Sequence, residues 1–188
     1  MSKLFYDITL DAIRATYGML KPLNKLSIKV EGKFPEEPSL LTLNHFHKIR
    51  FWFFGWHNKW ADHLLTAYLP TDKIVHFAVQ DRQYMKPFTR FILERLETFP
   101  AKSVRKGIKY ARKGEMVAIF PQGEAHKLYE NKYYKGAAFM AQRGNVDITP
   151  LKISSKGNEL IINILPKIAS KGKTLEQLTQ EIEEVYSE

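Results

Sequence analysis

Apolar and polar positions along the chain switch between two periods. Residues 3 to 20 repeat with helical spacing: Asp7, Asp11, Arg14, Gly18 and Lys21 fall on one stripe, Leu10, Ile13, Tyr17 and Leu20 on another. This predicts an N-terminal amphipathic helix that Pro22 helps to end. The alternation in "LSIKVEG" and the short apolar runs "SLLTLN", "KIVHFAV", "MVAIF", "DITPLKI" and "ELIINIL" predict strands, with a further strand near Phe99. Between them lie helical patterns at "MKPFTRFILERL", "VRKGIKYARKG", "YKGAAFMAQRG" and "TLEQLTQEIEEVY", and one from Asp62 to Leu69, where Asp62 suits a helix N-terminus.

Strands alternating with helices imply an α/β fold: a single domain with a mixed, mostly parallel sheet flanked by helices. No repeat, low-complexity tract or linker divides the 188 residues, so the domain spans 1–188, with an amphipathic helix at 1–22 and an aromatic insertion at 45–61. In such sheets the working residues sit on loops beyond the carboxyl ends of strands.

Composition narrows the function classes. Hydrophobic residues make up 44% and charged residues 26%, which is globular rather than disordered. Without cysteine there is no disulfide framework, no thiolate metal site and no cysteine nucleophile. The net charge of +9 favours anionic partners: nucleic acid, anionic membrane or phosphorylated small molecules. The N-terminal stretch carries Asp7, Asp11 and Arg14 where a signal peptide needs an apolar core, and no apolar run approaches the roughly 18 residues of a spanning helix.

Three segments sit where strands end: "LLTLNH" with Asn44 and His45, "WHNKWAD" with His57 and Asp62, and "AIFPQGEAH" with Phe120, Pro121, Gln122, Gly123 and Glu124. Together they resemble the glycerolipid acyltransferase family, typified by the lysophosphatidic acid acyltransferases, which carry Asn-His, four residues and Asp, and later a Phe-Pro-Glu-Gly block. "VEGKFPEEPSLLTLNH", the block from Asp62 to Lys102 and "YYKGAAFMAQRGNVDITPLKI" are similar to further family blocks, in the family's order.

Two departures stand out. Five positions after His45 stands Arg50 where the family has Asp, while His57 precedes Asp62 by five; an insertion of twelve residues accounts for both. Upstream anchors favour His45 as the catalytic histidine. The local spacing tips the reading to His57, because it lets Nδ1 meet a carboxylate without closing a long loop, and both stay open. In the Phe-Pro block Gln122 replaces Glu, and Glu124, Ala125 and His126 replace Thr, Arg and Ser, so the arginine thought to contact substrate phosphate is missing.

The resemblance implies transfer of a fatty acyl chain from acyl-CoA or acyl carrier protein to a hydroxyl of a lysophospholipid-like acceptor, without metal or cofactor. It implies a protein peripheral to the cytoplasmic face of a membrane. The histidine would act as general base with Asp62 holding its tautomer. Backbone N–H groups of Gln122 and Gly123 would bind the oxyanion. Lys102 and Arg105 match the family's basic residue best, with Lys127 and Lys135 as further candidates for substrate phosphate. Trp52, Trp56 and Trp60, spaced by four and flanked by Lys48, Arg50 and Lys59, have the character of an interfacial anchor; buried core or a dimer contact explains the same stripe.

Two rival classes remain. A catalytically inactive relative would bind lipid or acyl carrier protein without turnover. A basic nucleic-acid-binding domain, suggested by charge and aromatics alone, would lose affinity steeply with salt; no recognisable nucleic-acid motif supports it, so no nucleic-acid partner is expected.

Overall fold

A computed structural model describes residues 3–24, 27–45, 68–123, 133–156 and 159–187. The elements in chain order are α1 (Lys3–Asn24), β1 (Ser27–Glu31), β2 (Ser39–Leu43), β3 (Val75–Val79), α2 (Asp81–Tyr84), α3 (Pro87–Arg95), β4 (Phe99–Pro100), α4 (Val104–Arg112), β5 (Met116–Ile119), α5 (Gly136–Gly144), β6 (Asp147–Lys156), β7 (Glu159–Ile164) and α6 (Leu175–Ser187). The predicted strands all form. The short α2 is an addition, and all but Tyr68 and Leu69 of the helix expected from Asp62 to Leu69 lies outside the described residues.

The strands make one seven-stranded sheet in the order β1-β7-β6-β2-β5-β3-β4. Every neighbouring pair is parallel except β6 with β7, which form an antiparallel hairpin. β2, β3, β4, β5 and β6 therefore run together and deliver their carboxyl ends to one edge. β2 and β3 are buried throughout, which is why both read as continuous apolar runs.

Alternate residues of the central strands feed two cores on opposite faces of the sheet. Leu41, Leu43, Phe77, Met116 and Ala118 pack on one face with Leu93 of α3. Leu40, Ala78 and Val117 pack on the other with Ala137, Met140 and Ala141 of α5 and Leu178 and Ile182 of α6. α4 and α5 approach closely because their seam is built of small residues: a Cβ on Gly107 would stand 2.4 Å from Met140 Sδ, and one on Gly144 2.7 Å from Ala111 Cβ. The start of α6 is fixed by a reciprocal cap: Gln177 N–H donates to Thr174 Oγ1 at 3.2 Å and Thr174 N–H to Gln177 Oε1 at 2.8 Å.

α1 departs from its sequence pattern in two respects. It continues two residues past Pro22, to Asn24; a proline in the last turn costs its own hydrogen bond but leaves few later ones to lose. Its anchor begins one turn earlier than the expected stripe. Tyr6 and Leu10 are buried against Leu96, and the Tyr6 hydroxyl accepts Val75 N–H at 3.1 Å. That bond explains Tyr6, a tyrosine on a helix row four residues before Leu10.

Candidate active site

The site grows from the carboxyl ends of β2 and β5, neighbours in the sheet. Just past β2, the Asn44 side chain continues the pairing with β6. Its Nδ2 donates to Ile153 O at 2.9 Å and its Oδ1 accepts Ile153 N–H at 2.6 Å. Both ends of the amide are thus engaged by backbone, and Asn44 fixes where the next residue, His45, leaves the sheet.

Past β5, the segment Phe120–Gly123 forms a turn closed by Gly123 N–H donating to Phe120 O at 3.0 Å. Proline at the second position and glycine at the fourth are what such turns favour. Gly123 has φ +76°, and a Cβ there would lie 2.8 Å from the Tyr134 ring, so both backbone and packing select glycine.

His45 lies against this turn. Its ring stacks on Phe120 with centroids 4.2 Å apart and planes 8° from parallel. Its backbone N–H donates to Gln122 Oε1 at 3.2 Å. Its Nε2 is 2.8 Å from Gly123 O; a carbonyl only accepts, so Nε2 carries the proton in this arrangement. Gln122 suits the position because an amide serves both sides: while Oε1 accepts from His45, Nε2 donates to the Tyr133 hydroxyl at 3.1 Å. A carboxylate would bridge the same two groups only by accepting from both, with the Tyr133 hydroxyl as donor.

Two tyrosines that the sequence did not single out complete the framework. Tyr133 stacks with Tyr186 of α6, ring planes 6° apart, and the Tyr186 hydroxyl donates to Thr42 Oγ1 of β2 at 2.9 Å. Burial pushes both phenols upward in pKa, against the opposing hydrogen bonds to Gln122 and Thr42. Tyr134 N–H donates to Pro121 O at 2.9 Å, so the chain returns to the turn at residues 133–134.

Of the residues singled out from sequence, the structure brings together Asn44, His45, Phe120, Pro121, Gln122 and Gly123. It modifies one detail of the oxyanion reading: Gly123 N–H is consumed by Phe120 O, whereas Gln122 N–H has no partner among the described residues. Lys102 and Arg105 stand at the same sheet edge, around the start of α4. Lys102 is exposed and reaches Asp81, with Nζ 3.7 Å from Oδ2 and its backbone N–H donating to Oδ1 at 3.3 Å. Lys135 is paired with Glu176 at 2.7 Å. His57, Asp62, Glu124, Lys127, the three tryptophans and the 45–61 insertion beyond His45 lie outside the described residues. The other described histidine, His76, is buried in the scaffold, stacked on Tyr110 at 3.7 Å with Nδ1–H donating to Glu97 O at 2.8 Å.

A histidine at a strand end is thus laid on a Phe-Pro turn from the neighbouring parallel strand of an α/β sheet. The family model described as Acyltransferase matches residues 27–154, more than half of the chain, and the chain belongs to that family. The glycerolipid acyltransferase resemblance is borne out by that match and by the fold. Among solved structures the chain is similar to the 1-acyl-sn-glycerophosphate (LPA) acyltransferase PlsC from Thermotoga maritima, with a TM-score of 0.67 and 17% identity over 95% of this chain and 77% of that one. At that identity the likeness concerns the fold.

Proposed function

We propose that the chain transfers a fatty acyl group from the thioester of acyl-CoA or acyl carrier protein to a hydroxyl of a lysophospholipid-like acceptor at a membrane surface. The observation that carries this reading is His45 seated on the Phe120–Gly123 turn. This supports the reading because a histidine suited to act as base and a turn suited to supply an oxyanion donor are neighbours at the end of two adjacent strands.

The acceptor hydroxyl takes the place of the Gly123 carbonyl at the His45 imidazole, whose ring proton, no longer held by that carbonyl, moves to Nδ1 and leaves the Nε2 lone pair facing the hydroxyl. Nε2 then removes the hydroxyl proton as the oxygen attacks the thioester carbon. Negative charge moving onto the carbonyl oxygen meets Gln122 N–H. When the intermediate collapses, the C–S bond breaks and the sulfur leaves with the proton held by histidine, giving ester and free thiol. Asp62 is the carboxylate assigned to orient the imidazole and stabilise the imidazolium. His57 is the rival base. Lys102 and Arg105 lie at the sheet edge where an acceptor phosphate would be held.

A membrane setting is supported by the layer formed by α1 and α3. Among the described residues no helix is long and apolar enough to cross a membrane. Yet Leu4, Phe5 and Ile8 of α1 are exposed on the face opposite Tyr6 and Leu10, and Met85, Phe88 and Phe91 are exposed around α3. Six large apolar side chains on the outside of one layer are more than scattered surface residues. Lys3, Arg82, Lys86 and Arg95 stand among them, as cations do where apolar groups enter an anionic interface.

The test is thiol release from palmitoyl-CoA with lysophosphatidic acid present or absent. Release that depends on the acceptor supports the proposed reaction. Binding of acyl donor with no release, across a panel of lysolipids and with acyl carrier protein as donor, would show an inactive binding relative instead.

A further inference from the structure

The opposite layer carries a surface of another kind. The close seam of Gly107, Ala111 and Gly144 brings the outer faces of α4 and α5 together. Arg105, Lys109 and Arg112 recur along one face of α4 at spacings of four and three, Lys113 follows, and Arg143 joins them from α5. Ile108 and Phe139 floor the open groove between, whose volume is about 530 Å³. None of the five cations forms an ion pair among the described residues. Arg112 Nε–H donates to Arg143 O at 2.8 Å, which fixes its guanidinium without neutralising it. Arg143 reaches over the Phe139 ring, 5.5 Å from its centroid.

Five uncompensated cations around an apolar floor call for a partner that is acidic and presents apolar side chains of its own. A flat bilayer does not fill a groove. On the membrane reading above, moreover, the apolar α1–α3 layer faces lipid and the α4–α5 layer, across the sheet, faces water. The groove also points at the site. α4 and α5 both begin at the edge where β2 and β5 end, and α5 starts three residues after Tyr133, which holds Gln122. Each helix has nine residues and is thus about 13 Å long, less than the reach of an extended phosphopantetheine arm.

We propose that the α4–α5 groove docks an acidic acyl carrier protein, one negatively charged helix of which lies along the cations. Its phosphopantetheine thioester then reaches His45 past the N-terminal ends of the two helices. This rests on the acyltransferase reading and selects, from the two donors it allows, the one with a protein surface.

The experiment titrates the full chain with purified palmitoyl-acyl carrier protein and follows binding at low and high salt. Wild type is compared with the exposed pair Lys109→Glu/Lys113→Glu and, separately, with Arg143→Glu, after thermal unfolding shows that each variant folds. Each variant is expected to weaken carrier-protein binding about tenfold or more, with binding in wild type falling as salt rises. The KM for palmitoyl-CoA should stay unchanged. Wild type that does not bind the carrier protein, or variants that bind it as wild type does, would overturn the proposal. So would variants that lose sedimentation with anionic vesicles, or RNA binding, while keeping the carrier protein. Loss of carrier binding in the variants with no acyl transfer by wild type would instead retain the docking surface and reject the reaction.

Discussion

Gly123→Ala probes the turn that links the strand scaffold to His45, the histidine proposed as the base. The residue has φ +76°, where an L-residue pays about 1–2 kcal/mol. Its new Cβ would lie 2.8 Å from a Tyr134 ring carbon. Tyr134 is 39% exposed, so its ring can swing outward and the contact adds little to the backbone term. The expected loss of stability is therefore roughly 1–2 kcal/mol, and at 2–4 °C per kcal/mol for a chain of this size the midpoint should fall by about 2–8 °C. Activity should suffer more than stability. The Gly123 carbonyl holds His45 Nε2, and a displacement on the order of 1 Å at a catalytic group can cost about a hundredfold in rate. Urea unfolding and acceptor-dependent thiol release, measured on the same preparation, give both numbers. The double variant Gly123→Ala/Tyr134→Ala removes the contact and keeps the backbone strain, so it should remain destabilised. A Gly123→Ala protein with wild-type midpoint and wild-type rate would refute the reasoning.

Three further expectations follow from the packing and charge pattern. Gly107→Ala forces a methyl into Met140 Sδ and the Phe99 ring at the α4–α5 seam, which should cost about 1–3 kcal/mol by denaturant unfolding; an unchanged midpoint would mean that the helices part freely. At Asp147, burial alone would raise the carboxyl pKa, but the Ser170 N–H at 3.0 Å and Lys167 Nζ at 3.0 Å outweigh it and hold it below the usual carboxylate range. Its contribution is thus present above the unfolded-state value of about 3.9 and is lost as pH falls through the lower folded-state value. Asp147→Asn should accordingly lower stability near neutrality and flatten the acid limb, and parallel curves for the two proteins would contradict this. Phe88→Ser/Phe91→Ser should reduce sedimentation with anionic vesicles while leaving the unfolding midpoint near wild type, since both rings are exposed; undiminished sedimentation would remove the α1–α3 layer as the lipid-facing surface.

The sheet was legible because its central strands are buried on both faces and so appear as unbroken apolar runs, β2 and β3 most plainly. The half of the site made from contiguous motifs was legible too: Asn-His at the end of one strand and Phe-Pro-Gln-Gly at the end of another stand out in sequence and meet in space. What joins them was not. Gln122 meets Tyr133 across 11 residues, and Tyr186 reaches Thr42 across 144. Nothing local in "ENKYYKG" or "EEVYSE" distinguishes those tyrosines from ordinary ones. The four-residue α2 is too short to establish a period. The role of Tyr6 depends on an acceptor position created only when β3 arrives beneath it. The α4–α5 groove escaped notice for a related reason: "VRKGIKYARKG" reads as a solvated helix face until Gly107 brings Phe139 and Arg143 alongside.

Thiol release from palmitoyl-CoA in the presence of lysophosphatidic acid, compared across wild type, His45→Ala, His57→Ala and Asp62→Ala, tests the central claim most directly. Acceptor-dependent release by wild type that is lost in His45→Ala and in Asp62→Ala, with His57→Ala active, is the result expected of a base seated on the Phe120–Gly123 turn. Full activity in His45→Ala, with loss confined to His57→Ala and Asp62→Ala, would contradict it and move the chemistry away from that turn.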